Sequence, residues 1–257
     1  MRAAFFDLDK TVIAKSSLVA LGPEFHARGL LHRRTLVWAV LSQLLFMRFG
    51  ADEKRLTKIR ESVLKVTKGW DRDEVRELVD ETINHVIEPL IYDEALELID
   101  HHRIQGDEVW LVSMSPEEIV EPFAALLGIT GAIASKARID ENGKFTGEME
   151  FFAQGENKAV AIRELAQQRG IDLAESFAYS DSETDVPMLE AVGHPFAVNP
   201  DKALGRVAAE RAWPVLHFSH PVRVKERSRV GASAPFVVSA LAIGAAAVLG
   251  RSQLRRH

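Results

Sequence analysis

Short apolar runs of three or four residues recur along the chain, and most of them end at polar residues. The first is Ala3–Phe6, which is followed directly by Asp7. A continuous apolar run of this length is typical of a strand that is buried on both faces of a sheet. The same pattern predicts further strands at Val109–Val112, Phe177–Tyr179, Pro195–Val198 and Val215–Phe218.

Helical periodicity separates these predicted strands. Glycines such as Gly106, Gly128 and Gly170 follow several of the helical segments, as is common where a helix ends. Because strands and helices alternate, the pattern predicts an α/β fold with a doubly wound parallel sheet. The predicted helices are Asp93–Gln105, Pro116–Leu127, Asn157–Arg169, Val186–Ala191 and Lys202–Arg211.

Two segments depart from this alternation. Ser16–Pro89 contains helical patterns and no convincing strand, which predicts a helical insertion between the first strand and the next unit of the sheet. Ile133–Phe151 has β-compatible stretches on both sides of Asn142-Gly143, a dipeptide that favours a tight turn. We therefore expect a helical insertion and a hairpin in addition to the alternating units.

The composition narrows the class of protein. The 257 residues suffice for one large α/β domain or for a core domain with a smaller insertion. A net charge of -5 gives no general basic field, so nucleic acid is not expected as a partner. The lack of cysteine excludes disulfides, thiolate metal sites and cysteine nucleophiles. The first residues become acidic too early for a signal peptide, so we expect a cytoplasmic catalytic domain.

Asp7 and Asp9 follow the first predicted strand with one residue between them. Residues two apart in extended backbone project to the same side, so both carboxylates can face one site beyond the sheet. That arrangement suits a nucleophile next to a divalent cation. A polar turn after a strand is the simpler interpretation of this pair alone.

Polar residues also follow the later strands, where ligands collect in doubly wound sheets. Ser113 follows the second predicted strand, and Lys158 lies at the start of a predicted helix. Asp181 and Asp185 follow a later strand. Taken singly, the serine and the two aspartates are interpretable as helix caps, and the lysine as a solvated helix residue. Their joint order along the chain favours one shared site.

Four ordered motifs resemble those of the haloacid dehalogenase superfamily, specifically its subfamily IB phosphatases, the group that includes phosphoserine phosphatases. The resemblance implies a Rossmann-like core at residues 1–15 and 90–222, with a helical cap at residues 16–89 inserted after the first motif. That cap coincides with the insertion predicted from periodicity. The motifs are Phe5–Thr11, Val112–Ser115, Asn157-Lys158 and Ser180–Leu189, and Ala197–Pro200 continues the match.

The resemblance implies catalytic roles for four residues. By motif position, Asp7 is the nucleophile, and Asp9 protonates the leaving oxygen and later activates water. Ser113 would donate a hydrogen bond to the phosphoryl oxygens, while Lys158 would supply positive charge and keep Asp7 ionised. The implied reaction is hydrolysis of a phosphomonoester through an aspartyl-phosphate.

The same resemblance implies a magnesium site. Asp7, Asp181 and the backbone carbonyl of Asp9 would hold the ion, because hard oxygen ligands suit magnesium. Asp185 would order these ligands without binding the ion itself. The ion would offset the repulsion between a phosphate dianion and the attacking carboxylate.

Three positions depart from the family pattern. Ser180 stands where glycine is frequent, and Lys10 stands where small residues are frequent. Phosphoserine phosphatases usually carry a glutamate shortly after the first motif to bind the substrate ammonium, and the corresponding residue here is Ser16. A neutral hydroxyl cannot pair with that amine, so the sequence argues against free phosphoserine as the substrate.

Two uncharged segments raise the question of a membrane. Thr35–Met47, inside the expected cap, has 13 residues and is too short to span a bilayer. It is expected to be a buried helix, and the alternative is an apolar surface for a substrate or a membrane. Residues 230–250 form a 21-residue uncharged stretch between Arg229 and Arg251. As a helix it would reach roughly 30 Å, enough to cross or lie on a membrane.

We therefore expect a phosphatase whose catalytic domain is cytoplasmic and tethered to the plasma membrane by a C-terminal apolar helix. The alternative for the tail is a disordered or docked segment of a soluble cytoplasmic protein. The expected substrate is a phosphorylated metabolite or a lipid phosphate, with phosphoserine as an alternative. A membrane-tethered binding protein that kept the fold without turnover is the alternative outside enzymes. The sequence leaves the oligomeric state open.

Overall fold

One seven-stranded sheet runs through the computed structural model, which describes residues 1–32 and 61–221. The strands are β1 (Ala3–Phe6), β2 (Glu108–Pro116), β3 (Gly131–Ile139), β4 (Phe145–Phe151), β5 (Phe177–Ser180), β6 (His194–Val198) and β7 (Val215–Leu216). Their order across the sheet is β4-β3-β2-β1-β5-β6-β7. The chain therefore starts in the middle of the sheet and extends it to both sides.

All neighbouring strands are parallel except the β3–β4 pair at one edge. This confirms the α/β fold and the largely parallel sheet predicted from the apolar runs. The predicted hairpin is present as β3 and β4, and its turn holds Gly143 with a φ of 78°. The sequence pattern set the hairpin apart from the alternating units, but β3 also pairs with β2 and makes the hairpin the edge of the same sheet.

Seven α-helices lie entirely within the described residues. Each helix predicted between the strands is found with its ends shifted by one residue or less. Left-handed glycines follow two of them, Gly128 and Gly170, as the glycine pattern indicates. The helices are α1 (Ser17–Ala27), α2 (Arg72–Val86), α3 (Asp93–Ile104), α4 (Glu117–Leu127), α5 (Glu156–Arg169), α6 (Val186–Glu190) and α7 (Lys202–Glu210).

Two hydrophobic clusters cover the two faces of the sheet. Alternate residues of β1 enter different clusters, Ala4 and Phe6 on one side and Ala3 and Phe5 on the other. The first cluster includes side chains of α2, α3 and α4, and the second includes side chains of α5, α6 and α7. Full burial of a large apolar side chain contributes about 1.5–3 kcal/mol, so this central strand anchors both layers.

The part of the expected insertion that the structure describes is helical. It comprises α1, a helical stretch at residues 61–67 and α2, together with an isolated bridge between Asp71 and Lys144. The apolar run Thr35–Met47 and the tail at residues 230–250 lie outside the described residues. Within residues 1–32 and 61–221, no helix combines the length and the apolar character needed to cross a bilayer.

Candidate active site

The carboxyl ends of the central strands bring the predicted polar residues to one edge of the sheet. Asp7 directly follows β1, and its N–H donates to the carbonyl of Tyr179 on β5 at 2.9 Å. Ser113 lies on β2, which pairs with β1, and Asp181 follows β5 on the other side of β1. Loops that leave neighbouring parallel strands at the same edge form a crevice, which is where ligands bind in this class of fold.

Lys158 reaches this edge from the first turn of α5. The helix is entered through Gly155, whose φ of 55° lies in a region that a residue with a Cβ adopts only with strain. The lysine side chain is buried, and its Nζ lies 2.8 Å from Asp7 Oδ1 and 2.8 Å from Asp185 Oδ2. The interpretation as a solvated helix residue is therefore wrong for this lysine.

The electrostatics of Lys158 and Asp7 differ in sign and cause. Burial alone would lower the pKa of Lys158, but attraction by Asp185 and Asp7 outweighs it and raises that pKa, so the ammonium stays charged. The pKa of Asp7 is raised to about 7, first by burial and then by repulsion from Asp185 and Asp9, against the attraction of Lys158. Asp7 is thus a carboxylate for which one lysine does not supply enough positive charge.

Asp181 shows the same surplus of negative charge. It is buried, and its pKa is raised well above the ordinary value by burial and by repulsion from Asp7. Lys10 acts in the opposite direction and lowers that pKa. The backbone of Lys10 has a φ of 65°, which is unfavourable for any residue with a Cβ and is adopted without strain by glycine.

Asp185 is held in place by two hydrogen-bond donors. Ser180 donates its hydroxyl to Asp185 Oδ2 at 2.7 Å, and Lys158 donates to the same oxygen at 2.8 Å. Asp185 precedes α6 but makes no side-chain capping bond to it. Ser180 departs from the family pattern, but it has a defined contact within the site. A serine at this position removes none of the groups expected to react.

The donor set fits a divalent cation. Two buried carboxylates, Asp7 and Asp181, repel each other, and bound positive charge would relieve that repulsion. Among the described residues, no three acidic or histidine side chains already surround one point. A site that combines two carboxylates with the backbone carbonyl of Asp9 and water does not need three such side chains, and this is how magnesium is commonly bound.

Asp9 is surrounded by donors from two distant segments. Its Oδ1 accepts the backbone N–H of Ser17 at 2.8 Å, and its Oδ2 accepts the hydroxyl of Ser115 at 3.3 Å. The hydroxyl of Ser16 also hydrogen-bonds this carboxylate. Burial raises the pKa of Asp9, although these hydrogen bonds oppose the shift. A raised pKa favours the protonated form of a carboxyl group, which is the form that acts as a general acid.

Ser113 and Ser115 are not the helix caps that a local interpretation suggests. The residue before α4 is Pro116, and no side chain caps this helix. Ser113 Oγ accepts the N–H of Ser115 at 3.1 Å, which leaves its own proton available to a ligand. Ser17 and Thr11 were not identified from sequence, yet Thr11 donates to Asp7 Oδ2 at 3.3 Å. The one feature of the sequence that could have indicated Ser17 and Thr11 is their hydroxyl groups close to the acidic pair Asp7 and Asp9.

Comparison with known sequences places this site in a family. The sequence profile of the haloacid dehalogenase-like hydrolases matches residues 4–190. This range contains the elements that carry Asp7, Ser113, Lys158 and Asp181. The chain belongs to the haloacid dehalogenase-like hydrolases.

Curated relatives define the class of enzyme within this family. A Streptomyces azureus protein named for inhibition of morphological differentiation is 48% identical over 95% of this chain and 89% of its own length. A protein of Mycobacterium tuberculosis named a probable phosphatase is 47% identical over 95% of this chain and 86% of its own length. A phosphoserine phosphatase of the same organism is 35% identical over 95% of this chain and 77% of its own length. The chain is a phosphatase that resembles the phosphoserine phosphatases.

A solved structure supports the fold. A phosphoserine phosphatase structure described as a phospho-aspartyl intermediate analogue superimposes with a TM-score of 0.60 at 19% identity. The match covers 84% of this chain and 92% of that protein. At this identity the comparison shows a shared fold.

Proposed function

We propose that this phosphatase is a magnesium-dependent phosphomonoester hydrolase that carries the phosphoryl group on Asp7. The observation that carries the proposal is the ion pair between buried Lys158 and Asp7, set among carboxylates that exceed the nearby positive charge. Such a surplus of buried like charge lowers the stability of the fold, and it is typical of functional sites. Asp7 also lies at the strand end where a ligand can approach it.

The proposed reaction has two displacements at phosphorus. A carboxylate oxygen of Asp7 attacks phosphorus, and the bond between phosphorus and the ester oxygen breaks. Asp9 gives its proton to that oxygen, so an alcohol leaves. Asp9 then takes a proton from water, whose oxygen attacks phosphorus and releases inorganic phosphate while Asp7 is restored. General acid and base help of this kind contributes roughly 10²–10⁴-fold.

Other residues would stabilise charge on the phosphoryl group. Asp7, Asp181 and the backbone carbonyl of Asp9 would hold magnesium, which supplies positive charge opposite the phosphoryl oxygens. Lys158 holds Asp7 in place from its other side, at 2.8 Å. Ser113 presents a hydroxyl proton to the phosphoryl oxygens. Asp185, fixed by Ser180 and Lys158, keeps the lysine oriented toward the nucleophile.

The experiment that tests the reaction is hydrolysis of p-nitrophenyl phosphate by the purified protein. We expect activity with magnesium, loss of activity with a chelator, and no activity in Asp7→Asn. Asp107→Asn is a matched control, because Asp107 is a second buried aspartate that hydrogen-bonds His102 away from these carboxylates. Full activity of Asp7→Asn would overturn the assignment of the nucleophile.

For the substrate, we infer a phosphorylated metabolite or lipid phosphate without an ammonium group next to the phosphate. Ser16 hydrogen-bonds Asp9 and offers no negative charge to an amine. A screen of phosphorylated metabolites and lysophospholipids that includes phosphoserine tests this. We expect weak turnover of phosphoserine by the natural chain and an increase in Ser16→Glu. Phosphoserine as the strongest substrate of the natural chain would contradict the inference.

We also propose that residues 16–89 act as a cap over a core at residues 1–15 and 90–222, and that residues 230–250 attach the cytoplasmic catalytic domain to the plasma membrane. The support for the tail is its sequence: 21 uncharged residues with arginine at both ends. Fractionation of the full chain and of a chain stopped before Val230 tests the tail. Attachment predicts that only the full chain sediments with membranes, and two equally soluble proteins would contradict it.

A further inference from the structure

The carboxylate of Asp9 is gripped at both of its oxygens. Oδ1 accepts the N–H of Ser17 at 2.8 Å, and Oδ2 accepts the hydroxyl of Ser115 at 3.3 Å. A carboxyl group bonded at one oxygen can still turn about its own axis. With donors at both oxygens, the direction in which its free lone pairs point is fixed.

The two donors are themselves joined. Ser17 Oγ and Ser115 Oγ lie 2.9 Å apart, although the residues are separated by 98 positions in sequence. Both serines are buried, with exposed fractions of 0% and 3%. Water does not compete strongly for hydrogen bonds at such positions, so the pair forms a stable link between the start of α1 and the end of β2.

The position of Ser17 strengthens this grip. Ser17 is the first residue of α1, and its N–H is one of the amides that a helix leaves without an internal partner. The preceding residue, Ser16, makes no side-chain capping bond to the helix. Asp9 takes that place, and a carboxylate at a helix N-terminus is stabilised there. The acid is therefore tied to the first helix after the first motif and to the strand that carries Ser113.

We propose that Ser115 and Ser17 are positioning residues that aim the carboxyl group of Asp9 at the leaving oxygen of the substrate. This inference rests on the proposed role of Asp9 as proton donor. The serines take no part in bond making. They hold the donor at the distance and angle that proton transfer needs, and small errors in such geometry slow an enzyme strongly.

Ser176 provides a comparison for the structural alternative. It is fully buried like Ser17, but its hydroxyl contacts backbone groups, accepting from Ala3 N at 3.0 Å and donating to Asp172 O at 2.6 Å. Neither of these partners is an acidic side chain of the site. Loss of its hydroxyl removes hydrogen bonds of similar kind without changing Asp9. Ser176→Ala is therefore the matched control for a buried serine.

Two aryl phosphates separate proton donation from every other step. The leaving nitrophenolate of p-nitrophenyl phosphate is weakly basic and departs without a proton, whereas the phenolate of phenyl phosphate is more basic and benefits from one. The substrates are otherwise alike. The ratio of kcat/KM for the two also cancels the concentration of folded enzyme, so partial unfolding of a variant does not affect it.

We expect Ser115→Ala to lower kcat/KM for phenyl phosphate by about tenfold, the effect of losing one hydrogen bond that holds the proton donor. The value for p-nitrophenyl phosphate should change much less. Ser17→Ala should shift the ratio in the same direction, and Asp9→Asn should shift it most. Ser176→Ala should leave the ratio unchanged.

The outcomes separate this inference from the proposed function. A ratio that is the same in the natural chain, Ser115→Ala and Ser17→Ala would overturn the positioning role, even if all three are slower. The same result would leave the nucleophile Asp7 untouched. A natural chain that hydrolyses neither aryl phosphate with magnesium would instead overturn the proposed function.

Discussion

Two buried polar networks lie near the same strand, β5, and they differ in how their charges balance. In one, His102 Nδ1 lies 2.9 Å from Asp107 Oδ2, and His102 Nε2 lies 2.9 Å from the hydroxyl of Tyr179. Arg2 Nε donates to Asp107 at 2.8 Å. In the other, Lys158 bridges two carboxylates. Tyr179 belongs to the first network, and its neighbour Ser180 belongs to the second.

In the first network, the polar side chains are paired with one another. Burial lowers the pKa of His102 against the attraction of Asp107, so the imidazole stays neutral, and burial raises the pKa of Tyr179. Each polar group has a partner, and the aromatic ring of Tyr179 stacks on Phe6 with ring centres 4.4 Å apart. Paired groups of this kind specify and stabilise a fold.

The second network has a surplus of negative charge. Asp7, Asp181 and Asp185 converge where Lys158 is the buried cation that pairs with two of them. Burial of such carboxylates is unfavourable unless another cation arrives. A buried polar cluster with unbalanced charges therefore indicates a functional site, whereas a cluster with balanced charges indicates a structural role.

The largest expected effect comes from removing the buried positive charge of Lys158. Lys158→Met should abolish activity and lower the free energy of unfolding by about 3–5 kcal/mol, because two buried carboxylates lose their partner. Chemical denaturation and p-nitrophenyl phosphate hydrolysis measure the two effects. Asp185→Asn added to Lys158→Met should restore part of the stability and none of the activity. Wild-type stability in Lys158→Met would mean that the second network is as balanced as the first.

Neighbouring substitutions on β5 should separate the networks. Tyr179→Phe removes a hydroxyl from His102 and should lower the free energy of unfolding by about 1 kcal/mol with no change in kcat. Ser180→Ala removes a donor to Asp185 and should weaken the apparent affinity for magnesium by about tenfold. Magnesium titrations of activity, together with thermal unfolding, provide the measurement. Loss of activity in Tyr179→Phe at full folding would contradict the separation.

The balanced network should also show in the pH dependence of stability. An unfolded histidine protonates near pH 6.5, but the lowered pKa keeps buried His102 neutral to lower pH. The unfolded state then binds more protons, so this group's contribution to stability is present above about pH 6.5 and decreases as pH falls. Denaturation of the natural chain and His102→Gln at several pH values measures this. An equal slope in both would contradict the prediction.

The smallest expected effect concerns the backbone of Lys10, in the turn that follows β1. Lys10 has a φ of 65°, so Lys10→Gly should raise the free energy of unfolding by about 1 kcal/mol. Thermal unfolding in the presence of a chelator isolates this backbone effect from metal binding. Lys10→Ala is the control, because it removes the charge and keeps the strain. A gain of equal size in both variants would assign the effect to charge.

The strands and helices could be predicted because their signals are local. Ala3–Phe6 has no charged residue and ends at Asp7, and Gly128 and Gly170 mark helix ends. The placement of β3 against β2 could not be predicted, since most of its side chains are exposed or half-buried and fit a free hairpin equally well. Pairing between strands depends on long-range packing that no local pattern records.

The site could be predicted only in part, for a similar reason. Asp7 and Lys158 are 151 residues apart and lie 2.8 Å from each other in the structure, and their motifs predict that they share a site. Ser17 could not be identified, because a serine at a helix start has an ordinary local use as a cap. Its contact with Asp9 depends on how the chain turns after β1. Motifs therefore predict the groups proposed to react, and the geometry adds the groups that hold them.

The proposed function requires that the carboxylate of Asp7 becomes covalently phosphorylated. The most direct test uses Asp9→Asn with p-nitrophenyl phosphate, because this substrate is expected to transfer its phosphoryl group even when the proposed base for hydrolysis is missing. After an acid quench, peptide mass mapping should find one phosphoryl group on the peptide that contains Asp7. Release of nitrophenol with that peptide unmodified, or with the phosphoryl group on another residue, would contradict the account.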